Sequence, residues 1–208
     1  MADEPSKNIY EFQGGELCLD FANTVGSHSS DHPNERVRTY PDLLAWSRQA
    51  TLISNREEAD MLRAAAAQST RAEMVLTRAH QLREAIFHVF TASATGRIPA
   101  ADDLAIVNSE VAEAYQHSRV ARAGTGFGWR WVGETEALER MLWPVARSAA
   151  DLLVSGNLSR VRNCANATCG WLFYDTSRNN SRRWCAMSDC GNRAKVRRHY
   201  QRQRAAKR

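Results

Sequence analysis

Nothing in this chain approaches the roughly 20 consecutive apolar residues that a helix needs to span a bilayer. The first residues, MADEPSKNIYEF, lack the cationic start and apolar core of a secretory signal. A cytoplasmic setting without membrane contact is therefore expected, and in that setting thiols stay reduced. There is no glycine-rich phosphate loop and no dinucleotide fingerprint. The histidines are scattered. His28 and His32 share one segment and His80 and His88 another, with no linked acid or nucleophile to complete a catalytic set. No enzyme is expected. Internal repeats are absent, and the only low-complexity run is Ala64–Ala67.

Acid is scarce in the last quarter of the chain. From Leu158 to Arg208 only Asp175 and Asp189 oppose 13 lysines and arginines, a net +11, while the residues before them hold 15 basic and 21 acidic side chains, a net −6. A mildly acidic body joined to a strongly basic end reads as two parts. The natural division is a body over 1–156 and a small module over 157–208, with the boundary at "SGN".

The cysteines are as uneven as the charge. Cys18 stands alone in "ELCLDF" and reads as a small core residue. The other four, Cys164, Cys169, Cys185 and Cys190, are spaced C-x4-C-x15-C-x4-C. Two close pairs of this kind can bring four sulfurs around one ion. Four thiolates satisfy a tetrahedral zinc ion completely, which makes a structural site closed to substrate. Two disulfides are the rival reading and would need an oxidising compartment. One structural Zn2+ is the expectation.

The body reads as mainly helical. "YPDLLAWSRQATLI" places Pro41 in a first turn with Leu43, Leu44, Trp46 and Ile53 as its apolar positions. Ser54 with Glu57, and Thr70 with Glu73, have capping-box spacing. Val75, Ala79, Leu82, Ile86 and Phe90 make one stripe ended by Gly96, and Leu104, Val107, Val111 and Tyr115 make another. Both stripes read as core. Val120 followed by Gly124, Gly126, Gly128, Trp129 and Trp131 predicts a β-hairpin with one aromatic face. Its tryptophans are expected to pack inward rather than to stack on bases. A further helix, kinked or broken before Pro144, is capped at Gly156.

In the module, "GWLFYDTSRNNSRRWC" predicts two short strands about a turn at 178–180, and Ser188 is placed to cap a helix carrying Cys190 in its first turn. The fold class is thus mainly α with a β-hairpin (α+β): a helical body plus a four-cysteine finger made of a knuckle, a hairpin and a basic helix.

"CGNRAKVRRHYQR", after "WLFYDTSRNNSRRWC", resembles the CGNR zinc finger, and "GGELCLDFANTV" resembles the start of the ABATE domain that precedes this finger in bacterial proteins described as stress-induced transcriptional regulators. The resemblance covers essentially the whole chain. It implies that the four cysteines hold zinc and that the chain is a regulator.

Duplex DNA is the expected partner. Arg182 and Arg183, on the strand before Cys185, and Arg193, Lys195, Arg197, Arg198 and Arg202, on the last helix, are the candidate contacts. Arg193, nearest the metal, is the candidate for reading a guanine. An RNA or ribosome partner, or an acidic protein, would suit the same charge. Asp20, Asn23 and Thr24 lie among apolar residues, so they either bond to main chain or line a pocket for a small-molecule effector. A homodimer with two basic helices spaced for DNA is a further expectation.

Overall fold

The computed structural model describes residues 10–28, 30–133 and 137–206. In chain order the elements are α1 (Leu17–Ala22), β1 (Val25–Gly26), β2 (Asn34–Glu35), α2 (Tyr40–Gln49), α3 (Asn55–Ala67), α4 (Ser69–Ala94), α5 (Ala101–Gln116), β3 (Ser118–Ala123), β4 (Gly126–Trp131), α6 (Leu142–Ser155), β5 (Val161–Asn163), β6 (Leu172–Tyr174) and α7 (Asn192–Ala206). The strands form three separate two-stranded antiparallel pairs, β1 with β2, β3 with β4 and β5 with β6. Helix α4 is the axis of the body, with α1, α2, α3, α5 and α6 packed around it. Its 26 residues give about 39 Å of helix.

The local signals explain most of these elements. Thr39 and Asp42 close a capping box ahead of α2, with Pro41 in the first turn, and Ser54 and Glu57 close another ahead of α3. The stripe Val75, Ala79, Leu82, Ile86 and Phe90 is buried along α4, and Gly96, with φ +69°, ends the helix. Cys18 is fully buried in the core, and burial pushes its thiol up to about 12.

Three details differ from the sequence reading. Thr70 does not cap α4. The helix starts at Ser69 because Gln68 both ends α3 and opens α4, leaving no room for a separate cap. On α5 the core face is Val107, Glu110 and Ala114, and Tyr115 points outward. Glu110 is tolerated there because Arg78 pairs with it in two hydrogen bonds of 3.0 and 2.9 Å. Pro144 neither kinks nor breaks a helix, since α6 begins only at Leu142 and takes the proline in its first turn.

The hairpin β3–β4 forms as expected, turning at Gly124 with φ +60°. Its aromatics divide. Trp131 packs against the core near Trp143, whereas Trp129 is 52% and Phe127 77% exposed. The inward packing anticipated for both tryptophans holds for one. Trp129 and Trp131 share one face of the ribbon, and the body covers that face only at the base.

The boundary in the sequence is not a boundary in the packing. Val161 and Leu172 belong to the body's hydrophobic core, and Leu172 is fully buried in it. Asn23 bonds both main-chain groups of Leu172, Trp171 Nε1 donates to Val25 O at 2.8 Å, and Tyr174 N donates to Gly14 O at 2.7 Å. Gly14 is required here. A Cβ at this position would lie 2.8 Å from the Asp20 amide nitrogen.

Candidate metal centre and its basic helix

The strand β5 leads into Cys164, and β6 leaves the turn that ends at Cys169. The metal knuckle is therefore the loop of the β5–β6 hairpin, closed by Cys164 N donating to Trp171 O at 2.8 Å. Gly170, with φ +73°, lets the chain reverse immediately after Cys169. This corrects the expected hairpin within 170–185, because the segment after β6 is a loop. Its amides are spent on Asp175, whose buried carboxylate accepts from Ser177 N at 2.8 Å and Arg182 N at 2.9 Å. Burial opposes charge on Asp175, but these bonds and Arg162 hold its carboxyl below the usual range. The turn at 178–180 does form, with Asn180 at φ +48°.

Cys185 and Cys190 close the site from the other side. A single π-helical turn, Met187–Gly191, carries Cys190 and runs directly into α7. Ser188 does not cap this turn with its side chain; its carbonyl instead accepts from Asn192 Nδ2 at 2.9 Å.

All four sulfurs lie within 4.8 Å of one another, and the Cys169–Cys185 and Cys185–Cys190 separations are both 3.7 Å. Zn–S bonds of about 2.3 Å in a tetrahedron require S···S edges of about 3.8 Å. The cluster has that size, whereas a disulfide needs about 2.05 Å. All five cysteines are free thiols. The four finger cysteines are buried and positioned to bind one metal ion, so the zinc reading holds and the disulfide rival falls.

The thiols are coupled. Hydrogen bonds from Cys169 and Cys185 lower the Cys164 thiol well below its ordinary range, and serving Cys164 raises both Cys169 and Cys185. Four crowded thiols resist ionising together, and a dication among them removes that penalty. Further donors surround the sulfurs: Asn166 Nδ2 at 3.4 Å and Arg193 Nη2 at 3.1 Å from Cys190, and Cys185 N at 3.5 Å from Cys164.

The predicted cations separate into two groups. Arg182 is engaged within the fold. Its guanidinium donates to the carbonyls of Trp184, Gln13 and Cys185 and lies over the Phe173 ring. Arg193, still exposed, bonds Asp189 at 2.7 Å and the Cys190 sulfur. Arg160 and Arg162 brace the loop after β6 through carbonyls of Asp175, Ser177 and Asn180. Arg183 is exposed beside the Trp184 ring. Lys195, Arg197, Arg198, Arg202 and Arg204 stand on α7 without a partner among the described residues; Lys207 lies outside them. His199 meets Gln203 rather than the metal.

Asp20, Asn23 and Thr24 bond to main chain. Asp20 Oδ1 accepts from Gly14 N at 2.7 Å, Asn23 is occupied by Leu172, and Thr24 Oγ1 donates to Phe21 O at 2.8 Å. Bonding to main chain is one of the two roles expected of these residues. The sequence reading missed Asn166 and Asp175, because no local spacing marks a polar loop residue as buried.

Residues 15–156 match the ABATE family, whose description is "Putative stress-induced transcription regulator", and residues 160–203 match the CGNR zinc finger. No curated protein matches the chain. The first match takes in well over half of the sequence, and the chain belongs to the ABATE family, with a CGNR zinc finger following the ABATE region.

Proposed function

We propose that the chain is a DNA-binding transcriptional regulator whose zinc-anchored helix α7 grips the phosphate backbone of a duplex. One observation carries the reading. Lys195, Arg197, Arg198, Arg202 and Arg204 are exposed along a 15-residue helix, and none has an intramolecular partner among the described residues. Folding does not use these charges. Phosphates would neutralise them and release counterions. The cations cover a broad arc of the helix, which suits backbone contact over the reading of a single base edge.

The zinc site serves as the rigid base of this helix. Four thiolates complete a tetrahedron and leave no open position, so a binder is favoured over an enzyme. Arg193 links the base to the helix by holding Asp189 and Cys190 together. The family description agrees with a regulator.

A salt titration tests the proposal, using two unrelated duplexes, a structured RNA and polyglutamate. The logarithm of the binding constant should fall linearly with that of salt concentration on both duplexes. Arg197→Ala and Arg202→Ala should each reduce the slope by about 0.9, one phosphate contact apiece. Salt-independent duplex binding overturns the reading. A clear preference for RNA or for polyglutamate reassigns the helix to that partner.

A further inference from the structure

The ribbon β3–β4 has properties that the fold does not require. From Ser118 to Val132 the sequence contains Arg119, Arg122 and Arg130 and no acid, on a body of net charge −6. Val120 pairs with Trp129 and Arg122 with Phe127, and paired residues share a face. That face presents Val120, Phe127 and Trp129 at 64%, 77% and 52% exposure. The Arg147 guanidinium backs the Trp129 ring at 4.2 Å, leaving its outer side to solvent. On the opposite face Arg119 stands directly across from Arg130, a like-charge pair that costs stability. Arg119 turns back onto the carbonyls of Gln116 and Ser118, while Arg122 and Arg130 have no partner among the described residues.

Bare aromatic rings and unneutralised arginines on a projecting two-stranded ribbon fit a ligand with both flat π surfaces and phosphates. Nucleic acid supplies both. Paired bases in a duplex present only their edges in the grooves, whereas unpaired bases offer their faces. An acidic peptide would match the charge but not the rings.

We propose that the β3–β4 ribbon is a binding element for single-stranded nucleic acid, with bases stacking on Phe127 and Trp129 while Arg122, on the same face, meets the backbone. The site is separate from the finger. Helix α6 runs from Trp143, stacked on His117 at the base of the ribbon, to Ser155 just ahead of the finger. Its 14 residues hold the two ends about 21 Å apart. The proposal does not depend on duplex binding by α7.

The test uses the full zinc-loaded chain and a dye-labelled oligothymidylate, with a duplex and polyglutamate as parallel arms. Phe127→Ala and Trp129→Ala replace exposed side chains, and their melting curves verify folding. Each should weaken oligothymidylate binding by about fivefold or more, the equivalent of losing one stacked base, and leave duplex affinity unchanged. Trp129→Phe, which keeps a ring, should restore most of the loss. Arg197→Ala should leave oligothymidylate binding largely intact. Any of four results overturns the proposal: no oligothymidylate binding by the wild type, unchanged binding in both alanine variants, binding abolished by Arg197→Ala alone, or an equal loss on polyglutamate. If sedimentation shows the alanine variants losing self-association with no change in oligonucleotide affinity, the ribbon is instead an interface between copies of the chain.

Discussion

Asn23 and Leu172, 149 residues apart in sequence, bond each other twice: Asn23 Nδ2 donates to Leu172 O at 2.8 Å and Leu172 N donates to Asn23 Oδ1 at 2.9 Å. The asparagine amide does for β6 what a neighbouring strand would do, and it ties the finger to the body at a buried point. Asn23→Ala leaves both main-chain groups of Leu172 buried without a partner. It should lower stability by about 2–4 kcal/mol, the cost of two unsatisfied buried groups. Denaturant unfolding measures this, and a cost below that of an ordinary surface change would show that the link carries no weight.

Since Leu172 and Val161 lie in the body's core, the finger and body should unfold together. A chain ending at Gly156 is expected to aggregate or lose cooperative unfolding. The full chain should contain one zinc ion, and Cys169→Ser or Cys190→Ser should abolish its binding. Removing zinc with a chelator should lower the melting temperature of the whole helical signal. A stable, cooperatively folded 1–156 fragment would contradict this.

Arg193 should act through the metal site and not through a base. Arg193→Ala removes a donor 3.1 Å from the Cys190 sulfur and should accelerate zinc transfer to a competing chelator. On two unrelated duplexes its affinity loss should be equal. A loss confined to one sequence, with zinc release unchanged, would restore the base-reading role.

Asp20 should titrate late. Burial raises its carboxyl to about 6, against the pull of hydrogen bonds from Gly14 and Gln13. A carboxyl raised in the native state binds its proton more tightly there than in the unfolded chain. Its contribution to stability is therefore largest below pH 4 or so, falls as pH rises towards about 6, and is flat above. The wild-type stability minus that of Asp20→Asn should follow this decline, and zinc-linked effects common to both proteins cancel in the difference. Carboxyl resonances recorded across pH 3–8 or so check the midpoint directly.

The sequence by itself determined the zinc ligands, the charge division and the buried stripe of α4, because each is written in local spacing. A C-x4-C pair makes a turn wherever it folds, and a 3.6-residue period buries one face against whatever neighbour arrives. The tertiary structure alone decided which cations are free. Arg182, Arg193 and Arg202 are equivalent as letters, yet Arg182 bonds three carbonyls and Arg193 bonds Asp189 and the Cys190 sulfur, while Arg202 has no partner among the described residues. It also decided that β6 pairs with β5 rather than with the segment after it, because buried Asp175 takes the amides a strand would need. It separated Trp131 from Trp129, since the body covers only the base of the ribbon. Arg193 meets Asp189 and Cys190 four and three residues away, but Arg182 also reaches Gln13, 169 residues distant, and a local pattern cannot specify which distant group will arrive beside it.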